Sequence, residues 1–445
     1  MATWPIGKLL FSMALPAVIS LFIQSMYNIV DTMYISQYSQ DAMFAIGLVF
    51  PLQQAALSLA LGTGVGIGTL VSRRLGEKRS DDANKVATTG LFISLLHIII
   101  VFVVGLFFSE PFLGLFTDRP EIIALGAEYL YIVMLLNFGQ FLSVVFERIL
   151  QAQGNMVVPM ISLICGALTN IILDPIFIFG QFGMPEMGMA GAAVATVAGQ
   201  IVSMVIDLVV LIFGRHDVKF SLKGFKLDLT NIKNIYTVAL PTAIMNMISS
   251  VTTTLMNGVL IKFSENAVTS LSLYFKLQSF IFMPCFGFSQ GSLPILSYNF
   301  GAKDRGRYYK TARLYMICAL VVMGIGTGLF ILTPDLMLSF FAMDEALKEV
   351  ARVTLQIISL SFLPAACSIV FNTVFQSFGK GTTSMIQSIL RQIGFLIPCA
   401  YLLSNISLEA VWYSYPIAEI LVVIIFIPLV IKTYRKAFSE TYANA

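Results

Sequence analysis

Hydrophobic residues in this chain run in long blocks, and polar residues inside the blocks fall mainly on one helical face. Twelve such blocks can be marked, each of about 20 residues or more and so long enough for a helix to cross a bilayer. They predict helices over 8–36, 42–70, 87–108, 122–150, 156–180 and 189–214. A second set follows over 230–262, 268–298, 309–335, 346–377, 382–404 and 408–433. The expected fold class is an all-α polytopic membrane protein with twelve transmembrane helices.

The first block shows the pattern most sharply. Pro16 to Asp31 reads PAVISLFIQSMYNIVD. Ser20, Gln24, Tyr27, Asn28 and Asp31 are adjacent or three to four residues apart, so they share one helix face, and the rest of the surface is mostly apolar. A carboxylate at membrane depth costs about 2.5–3.5 kcal/mol on insertion scales, so such groups usually face an interior and have a task. An acid near a helix end can also snorkel to the interface, but four polar side chains aligned behind Asp31 favour a functional stripe.

The fifth block has a second polar site, Thr169-Asn170-Ile171-Ile172-Leu173-Asp174-Pro175. Asn170 and Asp174 are four apart and share a face. Pro175 has no N–H, so the carbonyl of Ile171 loses its usual helical partner. A carboxylate, an amide oxygen and a loosened carbonyl suit Na+ or a proton-linked water. Asp31 and Asp174 both lie well past the middle of odd-numbered helices and can meet in one pocket. Two carboxylates there cannot both stay charged without a cation or proton between them, and an ion gradient could be linked to motion in that way.

Composition strengthens the membrane assignment. Of 445 residues, 57% are hydrophobic and 11% charged, against about 25% charged in soluble domains; the mean hydropathy is +0.85. The five cysteines lie in apolar stretches without CxxC spacing, so no disulfide framework or metal site is expected. The histidines, His97 and His216, suggest neither a ligand nor a base, and no enzyme is expected.

Sorted by loop, the charge becomes informative. Arg73, Arg74, Lys78, Arg79 and Lys85 follow the second block. Arg215, Lys219, Lys223, Lys226 and Lys233 follow the sixth, and Lys303, Arg305, Arg307, Lys310 and Arg313 the eighth. Lys432, Arg435 and Lys436 lie in the tail. The positive-inside rule then puts both termini in the cytoplasm. Because each basic run abuts a membrane span, nucleic acid is not an expected partner; the lipid bilayer is.

An internal repeat organises the whole. A shift of 225 residues lays Ala14-Leu15-Pro16 on Ala239-Leu240-Pro241, Gln53 on Gln278, Gly62 on Gly287 and Gly66 on Gly291. The same shift lays Gly154 on Gly379 and Met160 on Met385. The expected domains are a six-helix lobe over 1–214, a cytoplasmic linker over 215–233, and a second lobe with a tail over 234–445. Six helices per lobe make the repeat parallel, a plan that suggests alternating access and a transporter. The lobes differ in their acids, since Asp31 falls on Met256 and Asp174 on Cys399. Ion coupling is therefore expected in the N-terminal lobe. The seventh block carries Asn246, Ser249, Ser250, Thr253 and Asn257 on one face, with Met245 and Met247 beside Asn246. Flexible Met surfaces suit varied ligands, and aromatic faces with a carboxylate attract organic cations.

At the level of motifs, the chain resembles the multidrug and toxic compound extrusion (MATE) family along its whole length, nearest the bacterial DinF-like and MepA-like branch. The matching features are Pro16 with YNIVD (Tyr27–Asp31), VSRRLGEK (Val71–Lys78), LQAQGNMVVPM (Leu150–Met160), TNIILDPIFIFG (Thr169–Gly180) and GAAVAT (Gly191–Thr196). The resemblance implies two lobes around a V-shaped cleft and export of amphipathic or cationic compounds by Na+ or H+ antiport, with no other cofactor. It implies that Asp31, Tyr27, Asn170, Asp174 and Thr196 couple the ion, with possible Na+ ligation by Asp31, Asn170, Asp174 and Thr196. Pro16 resembles a proline that bends the first helix. Gln24, Asn28, Met245, Asn246 and Asn257 are candidate substrate contacts. A monomer in a bacterial or archaeal cell (inner) membrane is expected. The competing reading is a lipid-linked saccharide flippase, which would need several deep basic groups where Lys276 and Arg391 are the candidates.

Overall fold

The computed structural model describes residues 2–214, 216–219, 228–339, 341 and 344–443. Arg215, Lys223 and Lys226 of the expected linker lie outside them. The described residues form helices and no strand. First come α1 (Ile6–Tyr38), α2 (Gln40–Gly76) and α3 (Ser80–Leu113). Next, α4 (Pro120–Leu135) and α5 (Phe138–Ala152) form one span bent by 45°. Asn137 sits in the break and donates its amide to Met134 O in the turn before it and to Ile98 O of α3, the latter at 3.3 Å. Then follow α6 (Val157–Ile178) and α7 (Gly188–Phe213).

The second half repeats the order with α8 (Leu229–Leu260), α9 (Glu265–Gly301) and α10 (Arg305–Leu332). After the short α11 (Pro334–Leu338), α12 (Glu345–Ser359) and α13 (Phe362–Ser377) form a second bent span, at 50°. A π-helical turn over Leu390–Leu396 joins α14 (Gly381–Ile389) to α15 (Ile397–Leu403), and α16 (Leu408–Trp412) leads into α17 (Ser414–Ala443). Among the described residues ten helices are long and apolar enough to cross a membrane, and counting each bent pair as one span brings the number to twelve. The expected all-α class and twelve spans are therefore present, with several ends that run beyond the predicted ones; the third helix is Ser80–Leu113 against the expected 87–108, while the fifth, Val157–Ile178, is shorter than the expected 156–180.

The repeat is written into local chemistry. Ser39 caps α2 by accepting from Ala42 N at 2.9 Å, and Ser264 caps α9 by accepting from Ala267 N at 3.1 Å. The turns after these helices place Lys78 at φ 59° and Lys303 at φ 57°, a left-handed conformation uncommon outside glycine. Each of these pairs is separated by the repeat offset of 225 residues.

Compactness divides the chain elsewhere than at the expected linker. One unit is Ile19–Ala243, and the other joins Ala2–Val18 to Ile244–Ala445. The first half of α1 thus belongs with the C-terminal helices, and the first half of α8 with the N-terminal ones. Glycines explain the exchange. A Cβ on Gly62 would lie 2.9 Å from Ala243 N, and one on Gly66 would lie 2.6 Å from Ile235 O, so α2 receives α8 backbone against backbone. In the other unit, Cβ atoms on Gly287 and Gly291 would lie 2.8 Å from Val18 N and 2.7 Å from Ala14 N, so α9 receives α1 in the same way. The repeat-related prolines Pro16 and Pro241 are both buried in these exchanged halves, and each helix continues through its proline.

Candidate functional site

Within Ile19–Ala243, α6 and α7 pack more closely than ordinary side chains allow. A Cβ on Gly199 would stand 2.6 Å from Gly166 O, and the reverse substitution meets the same distance. This contact sets the register that puts Asn170 opposite Thr196. The Asn170 side-chain amide donates to Asp174 Oδ1 at 3.2 Å and to Thr196 Oγ1 at 3.5 Å. Asp174 is fully buried, Asn170 is 2% exposed and Thr196 is 8% exposed. From α1, Asp31 brings its carboxyl within hydrogen-bonding reach of Asp174, and the Tyr27 hydroxyl lies close enough to feel both acids.

Five expected residues are thus brought together: Tyr27, Asp31, Asn170, Asp174 and Thr196. The structure adds two that sequence reasoning missed. Tyr129 of α4 is buried with its hydroxyl toward Thr196, and Gln53 of α2 donates its amide to that hydroxyl at 3.5 Å. Gln53 had left a trace, since it is one of the positions kept in the repeat; Tyr129 had left none. Gln24 is half-buried and Asn28 exposed, both on α1. Met245, Asn246 and Asn257 are half-buried on the part of α8 assigned to the other unit and form no part of this cluster.

The electrostatics of the cluster are one-sided. Asp31 Oδ1, Asn170 Oδ1 and Asp174 Oδ2 are buried acceptors without a hydrogen-bond partner. Leaving such groups unpaired is costly, and carboxylates far more so than amides. Converging hard oxygens with no donor are what a small monovalent cation or a proton would complete. The set is poor in charge for a divalent ion, and no group of three or more His, Cys, Asp or Glu gathers for a metal among the described residues.

Other charged residues of the spans fall differently. Arg391 and Glu419 form an ion pair at 3.1 Å, and Ser368 donates to the second Glu419 oxygen at 2.9 Å. Lys276, the other candidate deep basic group, is exposed. Glu147 is half-buried on α5 and acts on the fully buried Asp207 of α7.

Residues 16–176 and 241–402 each match MatE, in two segments whose starts are the repeat offset apart. The chain belongs to the MatE family. Relatives include the multidrug export protein MepA of Staphylococcus aureus strain N315, 26% identical over 425 residues, covering 93% of this chain and 91% of that protein. The protein of the same name from Staphylococcus haemolyticus is 25% identical over 416 residues, with the same coverage. Among solved structures, a MATE transporter in the bent conformation superposes with a TM-score of 0.92 at 22% identity, covering 98% of this chain and 97% of that one. These likenesses extend the family fold over nearly the whole chain. Asp31, Asn170 and Asp174 lie inside the first MatE segment, and Thr196 lies beyond it.

Proposed function

We propose that this MatE protein is a secondary active multidrug efflux transporter that exports amphipathic and cationic organic compounds in exchange for Na+ or H+. The observation that carries the reading is the group of buried, unpartnered oxygens on Asp31, Asn170 and Asp174. A pair of buried carboxylates whose oxygens lack donors is an incomplete site. Binding a cation or a proton satisfies it, and binding a cationic substrate nearby competes for the same negative charge. That competition is the physical basis of exchange. Each charge moved across 100 mV contributes about 2.3 kcal/mol.

Asp31 and Asp174 hold the charge in this reading, and Asn170 and Thr196 supply neutral oxygens. Tyr27 and the Tyr129–Gln53 pair limit how the carboxylates turn. Gln24, Asn28, Met245, Asn246 and Asn257 contact the substrate, and Pro16 lets α1 bend. The protein works as a monomer in the cell inner membrane, both termini cytoplasmic, by alternating access. The S. aureus relative is named for multidrug export, which supports the substrate class. The flippase reading is weaker, because Arg391 is neutralised by Glu419 and is not free for a pyrophosphate.

The test is efflux of a fluorescent organic cation from proteoliposomes under a Na+ gradient or a proton gradient imposed separately. Export under one gradient, lost in Asp31→Asn, supports the proposal and names the ion. No export under either gradient would overturn the drug-exporter reading.

A further inference from the structure

A second pair of acids lies in the same unit. Asp207 on α7 is fully buried, and neither carboxylate oxygen has a hydrogen-bond partner. Its neighbours use their protons elsewhere. The Ser162 hydroxyl faces Asp207 but donates to Pro159 O at 3.0 Å, and Ser203 donates to Ser162 O at 2.9 Å. Among the described residues, Glu147 on α5 is the titratable side chain whose charge acts on Asp207. Arg148 acts in turn on Glu147, and its Nη1 donates to Gln151 Oε1 at 2.9 Å.

The pair is separate from the Asp31–Asp174 site. Ser162 and Asp174 are twelve residues apart on α6, or about 18 Å along the axis. Between them lies the Gly166–Gly199 contact, where backbone meets backbone and leaves no room for a side chain. Glu147 and Arg148 form no ion pair among the described residues, and Arg148 offsets at most one of the two negative charges, so burying both carboxylates in charged form would be costly. Among the described residues no third carboxylate, histidine or cysteine gathers here for a metal ion, whereas a proton needs no such shell.

We propose that Glu147 and Asp207 form a second, exchangeable proton-binding site at the far end of α6 and α7 from Asp31 and Asp174. A carboxylate of the pair takes up one H+ from water to become a carboxylic acid, and returns it to water. Half-buried Glu147 is the route between solvent and Asp207. The proposal is independent of which ion the first site carries.

Infrared spectroscopy of the full-length protein in lipid vesicles tests it. The expected result is a protonated-carboxyl band that is lost in Asp207→Asn, shifts when H2O is replaced by D2O, and survives in Asp31→Asn. Glu147→Gln should slow the D2O shift by about tenfold or more, as the loss of a proton-transfer group typically does. No difference between wild type and Asp207→Asn would overturn the site. So would a band that is deaf to D2O, which marks a sealed structural acid, or one displaced by added Na+ at constant pH. Survival of the band in Asp31→Asn keeps this outcome distinct from any failure of the export reading.

Discussion

In the unit Ile19–Ala243, Asp31, Asp174 and Asp207 each carry at least one buried carboxylate oxygen with no donor. In the unit that contains Ile244–Ala445, Glu419 has both oxygens engaged, one by Arg391 at 3.1 Å and one by Ser368 at 2.9 Å. The fold is repeated, but the treatment of charge is reversed. A carboxylate that already has a guanidinium and a hydroxyl has its charge answered within the protein, whereas unpartnered carboxylates are open to an ion or a proton. The exchange of roles can be traced to one repeat position. Gly166 corresponds to Arg391 at the offset of 225. Glycine lets α6 close on α7 in one unit, while in the other the π-helical turn over Leu390–Leu396 carries the arginine that meets Glu419.

The sharpest way to break this comparison is to neutralise one acid in each unit. Asp174→Asn should reduce ion-driven export on the order of 10–100-fold or more, since losing even a partner of an ion ligand typically costs that much. Glu419→Gln should leave ion dependence within about twofold, since its hydrogen bonds can largely be kept. Equal losses in both variants, measured as initial efflux rates, would remove the assignment of coupling to one unit.

Stability should show the reverse asymmetry. Arg391→Met leaves Glu419 without its counter-ion and should cost about 3 kcal/mol, while Arg391→Met with Glu419→Met should recover most of it. Thermal unfolding in detergent would reveal an electrostatically idle pair if the single variant matched wild type. Gly199→Ala should cost about 1–3 kcal/mol through overpacking against Gly166, and should weaken ion binding by shifting Thr196 from Asn170. An unchanged ion affinity would show that the glycine contact does not set the site.

The smallest effects should be the most symmetrical. Ser39→Ala and Ser264→Ala each remove one helix cap and should each cost about 1 kcal/mol. A large difference between them, in the same unfolding assay, would show that the two halves have diverged in fold as well as in charge.

Much of this was legible along the chain, and for a definite reason. The polar stripe ending at Asp31 and the Asn170–Asp174 spacing are local, so helix periodicity alone places each on a face. The repeat was visible because its turn and cap residues, such as Gly154 and Gly379, are held by backbone conformation, with φ 89° and 73°. The Arg391–Glu419 pair was not legible, since the residues are 28 apart and nothing local says which helix faces face each other. Tyr129 and Gln53 were hidden likewise, because tyrosine and glutamine are unremarkable in an apolar helix until another helix gives them a partner.

By itself, the sequence determined the membrane character, the number of spans, the repeated plan and the presence of acids in one half without counterparts in the other. These follow from hydropathy, period and register, which neighbouring residues set. The tertiary structure decided which buried acids meet, which receive a counter-ion, and where the compact units divide inside α1 and α8. Those outcomes depend on close approach between distant helices, at Gly62, Gly66, Gly287 and Gly291 and between Gly166 and Gly199. Backbone contact of that kind is a property of the packed molecule, which local pattern does not encode.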